Sequence, residues 1–160
     1  MKTLTENDRS SVVEPHAPRI IALLPFAYMV HMVEEWVGGF SAWTGTVLGR
    51  EVSPGRFIII NFVALSLFCL GIAASLRWPR FSWFSVSFAA LIVLNGVLHC
   101  LATVAFGSYS PGTLTGLLIY VPLGSFTLYA SAGIMPPRLY YTALLFGFLM
   151  HGIVALVAFT

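Results

Sequence analysis

Charge is the property that this sequence has least of. Only 9% of its 160 residues are Asp, Glu, Lys or Arg, where soluble domains average about 25%. The basic residues stand singly and the net charge is only +2, so no nucleic-acid partner is expected. Cysteine is also scarce, and both residues of this type, Cys69 and Cys100, lie in apolar runs. We expect them to be core residues rather than a disulfide.

The chain consists largely of long apolar runs. Hydrophobic residues make up 58% of the sequence and the mean hydropathy is +0.89. Runs of about 20 apolar residues cross a bilayer as helices, and their continuity is unlike the alternation of an outer-membrane barrel. We predict an all-α, polytopic membrane bundle formed by residues 19–160 as one domain. Its five transmembrane helices are Arg19–Gly38, Arg56–Leu76, Phe81–Phe106, Pro111–Ala132 and Arg138–Phe159.

The distribution of Lys and Arg predicts the direction of the chain. With the N-terminus inside, six basic residues lie on the inner side and two, Arg50 and Arg56, on the outer side. This asymmetry favours N-terminus inside and C-terminus outside. Residues 1–18 are polar and lack the pattern of a cleavable signal peptide, so we predict a mobile tail. The longest connection, residues 40–55, is read as a solvated connector or as a lid over the outer side.

The run His31-Met-Val-Glu34-Glu35 lies inside the first apolar stretch. Two carboxyls and an imidazole are costly to bury at membrane depth. Ionisable residues in such a place are functional-site candidates by default. On a helix, Glu34 and Glu35 follow His31 by three and four residues, so all three share one face.

Further polar residues are predicted at the same depth. At 1.5 Å per residue, His31 lies ~18 Å above Arg19, and Glu34 and Glu35 lie at ~22–24 Å. Measured in the same way on the third and fifth helices, the remaining groups lie at ~20–28 Å, and they are Asn95, His99 and His151. These three helices run in one direction. We therefore predict one polar layer in the outer half of the membrane.

The residue types of this layer suit a metal ion. Imidazoles and carboxylates bind Zn²⁺ or non-haem Fe²⁺, and bundle cores build such sites from facing helices. We predict that His31, His99, His151 and one of Glu34 and Glu35 are the ligands. The other glutamate then moves protons. Isolated intramembrane histidines also serve as plain helix–helix contacts.

Two more residues join the candidate site. Asn95 lies one turn from His99 and is placed to orient that ring. Tyr109 precedes Ser110-Pro111-Gly112 near the layer. It is either a tyrosine of the interfacial aromatic belt or a phenol donor to a substrate.

Three ordered motifs carry a resemblance to a known family. They are His31-Met-Val-Glu34-Glu35, Asn95-Gly-Val-Leu-His99 and Tyr109-Ser-Pro-Gly112. The chain resembles the HXXEE family of small integral membrane proteins. The resemblance implies a bacterial-type membrane protein, which we expect in the inner membrane, and implies that these motifs hold the functional positions. It implies little about activity.

The leading hypothesis is a metal-dependent intramembrane enzyme. It would act by hydrolysis through an activated water, or by oxidation if the metal is iron. No Arg or Lys lies in the layer, so a small neutral lipophilic substrate is expected. A metal-free alternative uses the two glutamates as an acid–base pair for isomerisation, cyclisation or epoxide opening. A third alternative is a carrier of metal ions or protons, which would need a polar path that reaches both membrane faces. A fourth is a structural subunit, in which the polar layer only holds the helices together. A homo-oligomer is left open.

Overall fold

The computed structural model describes residues 19–160, and the predicted N-terminal tail lies outside the described residues. Within 19–160 the chain is helical and contains no strand. Five helices are long and apolar enough to cross a membrane. They are named here span 1 (Arg19–Val37), span 2 (Pro54–Arg77), span 3 (Pro79–Phe106), span 4 (Thr113–Ala132) and span 5 (Pro137–Phe159).

The five spans confirm the predicted all-α membrane bundle. Their bounds agree with the apolar runs to within two residues at each end. In every span less than a third of the most apolar window is buried inside the protein. The remaining apolar surface points outward, where a bilayer would solvate it. The direction of the chain across the membrane stays a prediction.

Proline and glycine mark the ends of the spans. Pro54 and Pro137 occupy the first helical position of spans 2 and 5, where the missing amide hydrogen costs nothing. The Ser53 side chain accepts a hydrogen bond from the Arg56 amide and caps span 2. Gly107, with φ of 60°, ends span 3. These residues explain why the apolar runs begin and end where they do.

Span 3 lies at the centre of the bundle, between spans 4 and 5. It meets span 4 where Gly96 faces Gly116, with the two backbones in direct contact. It meets span 5 where Gly147 faces the carbonyl oxygen of Ser87. Small residues allow this close approach in membrane bundles. The main core cluster lies between spans 1, 2, 3 and 4 and contains Ile21, Leu24, Ala27, Tyr28, Phe68, Ile72, Ile92 and Tyr120.

The connection between spans 1 and 2 differs from the prediction. In place of a loop over residues 40–55, the chain forms a helix, Phe40–Leu48, which we call the connecting helix. Gly39 and Gly49 flank it with φ of 76° and 71°, and such positive values favour glycine. Its many Ser, Thr and Gly residues are weak helix formers, so the sequence alone indicates a loop.

Span 4 is irregular where it passes the predicted polar layer. A short α-helical turn, Thr113–Thr115, is followed by a π-helical turn, Gly116–Tyr120, and then by Val121–Ala132. Pro122 is the second residue of this last α-helical segment. Single π turns of this kind are frequent at functional sites. The turn carries Tyr120 into the protein interior, where it is fully buried.

Gly147→Ala is expected to destabilise the bundle. A Cβ at this position would lie 2.2 Å from the Ser87 carbonyl oxygen, and overpacking of this kind costs about 1–3 kcal/mol. Gly152→Ala on the same helix is the matched control, because a Cβ there meets nothing within 4 Å. Thermal unfolding in detergent should show a lower midpoint for Gly147→Ala alone. Equal midpoints for the two variants would contradict the close contact of spans 3 and 5.

Candidate functional site

Three side chains converge in the interior of the bundle: His31 and Glu35 from span 1 and His99 from span 3. Glu35 Oε1 lies 3.2 Å from His99 Nε2 and 3.6 Å from His31 Nε2. All three residues are buried. One ligand atom from each lies within 4.8 Å of the others. This group is called the His–Glu–His cluster below.

Hydroxyl groups hold the far side of both imidazoles. His31 Nδ1 is 2.7 Å from Thr115 Oγ1, and His99 Nδ1 is 3.0 Å from Ser110 Oγ. When Nδ1–H donates to the hydroxyl, Nε2 carries a free lone pair directed at the cluster. The Nε2 atom of His31 is buried and has no hydrogen-bond partner within residues 19–160. In that tautomer the cluster contains an unsatisfied acceptor, which a cation or a proton would complete.

Backbone and ring packing restrict both imidazoles further. Gly112 has φ of 104°, and a Cβ on it would lie 2.9 Å from ring atoms of both His31 and His99. Only glycine tolerates both the backbone angle and the close approach. On its other side, the His31 ring stacks on Tyr120 with 4.2 Å between ring centroids. The glycine of the Tyr-x-Pro-Gly motif thus lets the chain pass directly against the cluster.

Glu34 points to a different part of the molecule. Its carboxylate accepts hydrogen bonds from the backbone amides of Gly112, Leu114 and Thr115 at 2.7–3.0 Å. These amides form the start of span 4, whose first N–H groups have no partner inside the helix. The negative charge also complements the positive end of the helix dipole. Glu34 is therefore the cap of span 4, supplied by span 1.

Tyr109 completes this cap. Its phenol donates a hydrogen bond to Glu34 Oε1. Partial burial and the neighbouring Glu34 carboxylate raise the pKa of the Tyr109 phenol above its ordinary value, so the donor stays protonated. The ring itself is half exposed. The sequence offers two interpretations of Tyr109, a belt residue or a donor to the substrate. This contact adds a third role, which is to hold the Glu34 carboxylate in place.

Asn95 and His151 form a second polar pair close to the cluster. Asn95 Nδ2 lies 3.4 Å from His151 Nε2 and joins span 3 to span 5. The side-chain oxygen Oδ1 of Asn95 is buried, and no described residue donates a hydrogen bond to it. Both side chains line the same cavity as the His–Glu–His cluster. Asn95 thus contacts His151 rather than His99, the ring that the sequence predicts it to orient.

A cavity of about 370 Å³ connects these groups. Its polar end holds the His–Glu–His cluster together with Asn95 and His151. Its walls come from spans 2, 3 and 5 and from the connecting helix, and they are largely apolar or aromatic. The connecting helix contributes Phe40, Trp43 and Leu48, so it covers one side of the cavity. A mostly apolar cavity with few polar groups is typical of a small-molecule site.

Five residues were expected to supply metal ligands, and three of them meet. His31, Glu35 and His99 form the cluster, His151 lies in the cavity with Asn95, and Glu34 caps span 4. Ser110, Thr115 and Tyr120 support the two imidazoles but are not among the residues that the sequence predicts. Tyr120 lies near Pro122, whose presence indicates an irregular helix but not which ring turns inward.

Fold and cluster together define a class: a small helical membrane protein with a buried His–Glu–His cluster and an apolar cavity. The chain belongs to the family described as "Protein of unknown function with HXXEE motif", whose model matches residues 22–127. This match confirms the resemblance inferred from the three motifs. It covers spans 1–3 and most of span 4, and so includes every member of the cluster.

A relative in Bacillus subtilis (strain 168) is "Uncharacterized protein YrkK". The two chains are 30% identical over 115 residues, which covers 68% of this chain and 72% of the relative. No solved structure matches the chain. What the site does must therefore be inferred from its own geometry.

Glu34→Ala is expected to lower the free energy of unfolding by about 2–4 kcal/mol, because it removes a charged acceptor from three amides and a phenol. Glu51→Ala is the control, since Glu51 is exposed on the connection between spans 1 and 2. Unfolding titrations in mixed detergent and SDS micelles would measure both. Equal stability of the two variants would show that the start of span 4 does not depend on Glu34.

Proposed function

We propose that this protein is an intramembrane enzyme in which His31, Glu35 and His99 hold a divalent metal ion, Zn²⁺ or Fe²⁺, and that it acts on a small lipophilic substrate. The observation that carries the proposal is the convergence of the three ligand atoms within 4.8 Å. A cation between them would compensate the buried carboxylate and accept the free lone pair of His31. Both would otherwise be costly inside a membrane-spanning bundle.

The number and type of ligands favour a catalytic rather than a structural metal. Catalytic zinc sites use three protein ligands, such as two histidines and one glutamate, and keep one position open. The same set with open positions is typical of non-haem Fe²⁺ oxygenases. The open side of the cluster faces the cavity, where a substrate would have access. A metal in this place would supply Lewis-acid activation of water, or oxygen chemistry in the case of iron.

His151 is the titratable side chain best placed to move protons. Glu34 was one of two candidates for this role, but its carboxylate is engaged by three amides and Tyr109. His151 lies in the cavity beside Asn95. Histidine changes its charge near neutral pH and is the usual proton carrier in enzymes. We therefore assign the acid–base role to His151 and the positioning of its ring to Asn95.

The cavity lining supports a neutral, lipophilic substrate. No Lys or Arg is among the described residues that line it, so an anionic phosphate would find no positive partner there. Most of the lining side chains are apolar. The bilayer itself is the source of such a substrate, and we place the protein in the cytoplasmic membrane of a bacterium.

A metal-free acid–base enzyme is the second candidate. The observation in its favour is the 3.2 Å separation of Glu35 Oε1 and His99 Nε2, which suits a carboxylate–imidazole pair that exchanges a proton. This version uses Glu35 with His99 in place of the pair of glutamates, since Glu34 is occupied at span 4. Isomerisation or cyclisation of an apolar substrate would need no metal.

Metal content distinguishes the two candidates. Purified wild-type protein should bind about one equivalent of Zn²⁺ or Fe²⁺, whereas Glu35→Gln and His99→Ala should weaken binding by more than about 100-fold, since losing a ligand exceeds the 10–100-fold cost of losing its support. His151→Ala is the control and should keep the metal. Elemental analysis and competition with a chromophoric chelator measure both. Wild-type protein that binds no metal would favour the second candidate.

The hydroxyl behind His31 gives a sharper test of the metal proposal. Thr115→Val keeps the shape of the side chain but removes the partner of His31 Nδ1, and should weaken metal binding by about 10–100-fold. Thr127→Val on the same span is the matched control, because the Thr127 hydroxyl only donates to the backbone carbonyl of Leu123. Equal metal affinities of the two folded variants would mean that Thr115 does not orient a ligand.

A further inference from the structure

A second concave surface lies between spans 2, 3 and 5. It is a groove of about 800 Å³ that reaches from Val157 on span 5 to Trp78 and Phe81, which lie at the junction of spans 2 and 3. Nearly every side chain that lines it is apolar. Its one hydroxyl group, Ser87, already donates to the carbonyl oxygens of Trp83 and Ala143, and the other polar side-chain group of this lining is the indole N–H of Trp78 at one end.

The groove adjoins the cavity of the candidate site. Five side chains line both spaces, and they are Ile60, Ala64, Phe68, Leu91 and Val154. A chain that passed between these five side chains would reach the cavity, and with it the His–Glu–His cluster, without leaving apolar surroundings. A hydrocarbon chain could follow this path without any polar group being desolvated.

The polar pair of Asn95 and His151 lies in the cavity, one helical turn from residues that line both spaces. Leu91 lies one turn before Asn95 on span 3, and Val154 lies one turn after His151 on span 5. The Asn95 amide nitrogen is engaged by His151, while its buried carbonyl oxygen has no donor among residues 19–160. A buried acceptor without a partner is costly. A ligand that presents a hydroxyl hydrogen at this point would satisfy it.

The length of the groove limits the chain that fits. Along span 2 it extends from Ile59 to Ala74, which is about 22 Å at 1.5 Å per residue. An extended alkyl chain of roughly 16 carbons has a similar length, given carbon–carbon bonds of about 1.5 Å in a zigzag. A single chain of this length also fits within the volume, whereas a phospholipid would bring a phosphate, and no Lys or Arg is among the described residues that line either space.

We propose that the groove and the cavity together bind a single-chain lipid with a neutral hydroxyl head. Its chain lies in the groove, and its hydroxyl donates a hydrogen bond to the side-chain oxygen Oδ1 of Asn95. This inference rests on the proposed function, because it names the substrate class of the same site. It adds an entry route from the bilayer between spans 2 and 5, and a residue that recognises the head group.

Binding of radiolabelled 1-hexadecanol to protein in phosphatidylcholine nanodiscs tests the chain site. Wild-type protein should show saturable binding of about one molecule per chain above that of empty discs. Ala64→Phe and Val154→Phe, which fill the junction from opposite walls, should each weaken it at least tenfold. Ala73→Phe, on an exposed position of span 2 outside both linings, is the matched control and should bind as the wild type does.

The head group is tested with a pair of ligands. Competition should show that 1-hexadecanol binds about three- to tenfold more tightly than its methyl ether, which is the worth of one hydrogen bond. Asn95→Leu should abolish this preference while leaving the ether's affinity unchanged. A preference that persists in Asn95→Leu would overturn the assignment of the hydroxyl to this residue.

Metal content measured on the same samples separates the two proposals. Bound metal without saturable hexadecanol binding means that the groove holds only bulk membrane lipid, which overturns this inference and leaves the metal centre standing. Saturable binding that Ala64→Phe and Val154→Phe abolish supports the lipid site, whether or not metal is present. Binding that survives both substitutions in folded protein places the lipid elsewhere and contradicts the inference.

Discussion

The compensation of one buried carboxylate, Glu35, is the constraint on which the site depends. A carboxylate in the interior of a membrane-spanning bundle needs opposite charge or hydrogen bonds, and the groups facing it are the Nε2 atoms of His31 and His99. Both rings are held from behind by hydroxyls and from the side by Gly112. This arrangement directs two nitrogens and one oxygen at a common point, where they could share a cation.

The neighbouring Glu34 solves a different problem with the same residue type. By capping span 4 it ties the first motif to the segment that follows Tyr109, and that segment carries Ser110, Gly112 and Thr115 to the two imidazoles. The two glutamates of the HXXEE motif thus divide the work: Glu34 positions the support and Glu35 completes the cluster.

Much of the fold follows from the sequence, because continuous apolar runs bounded by Pro and Gly predict five spans directly. The meeting of His31, Glu35 and His99 follows as well, since spans of the same direction place them at similar heights. The connecting helix does not, because Phe40–Leu48 is rich in weak helix formers. The separation of Glu34 from Glu35 could not be predicted either, since it depends on where span 4 begins in space. Thr115 and Tyr120 carry no signal beyond being common residues near an irregular helix.

Anomalous X-ray diffraction at the zinc absorption edge, on crystals grown with Zn²⁺, would examine the cluster most directly. The account predicts one strong peak bounded by Nε2 of His31, Nε2 of His99 and the Glu35 carboxylate, on the side that faces the cavity. Density for a zinc ion at Glu34, or no peak between the two imidazoles in fully folded protein, would contradict it.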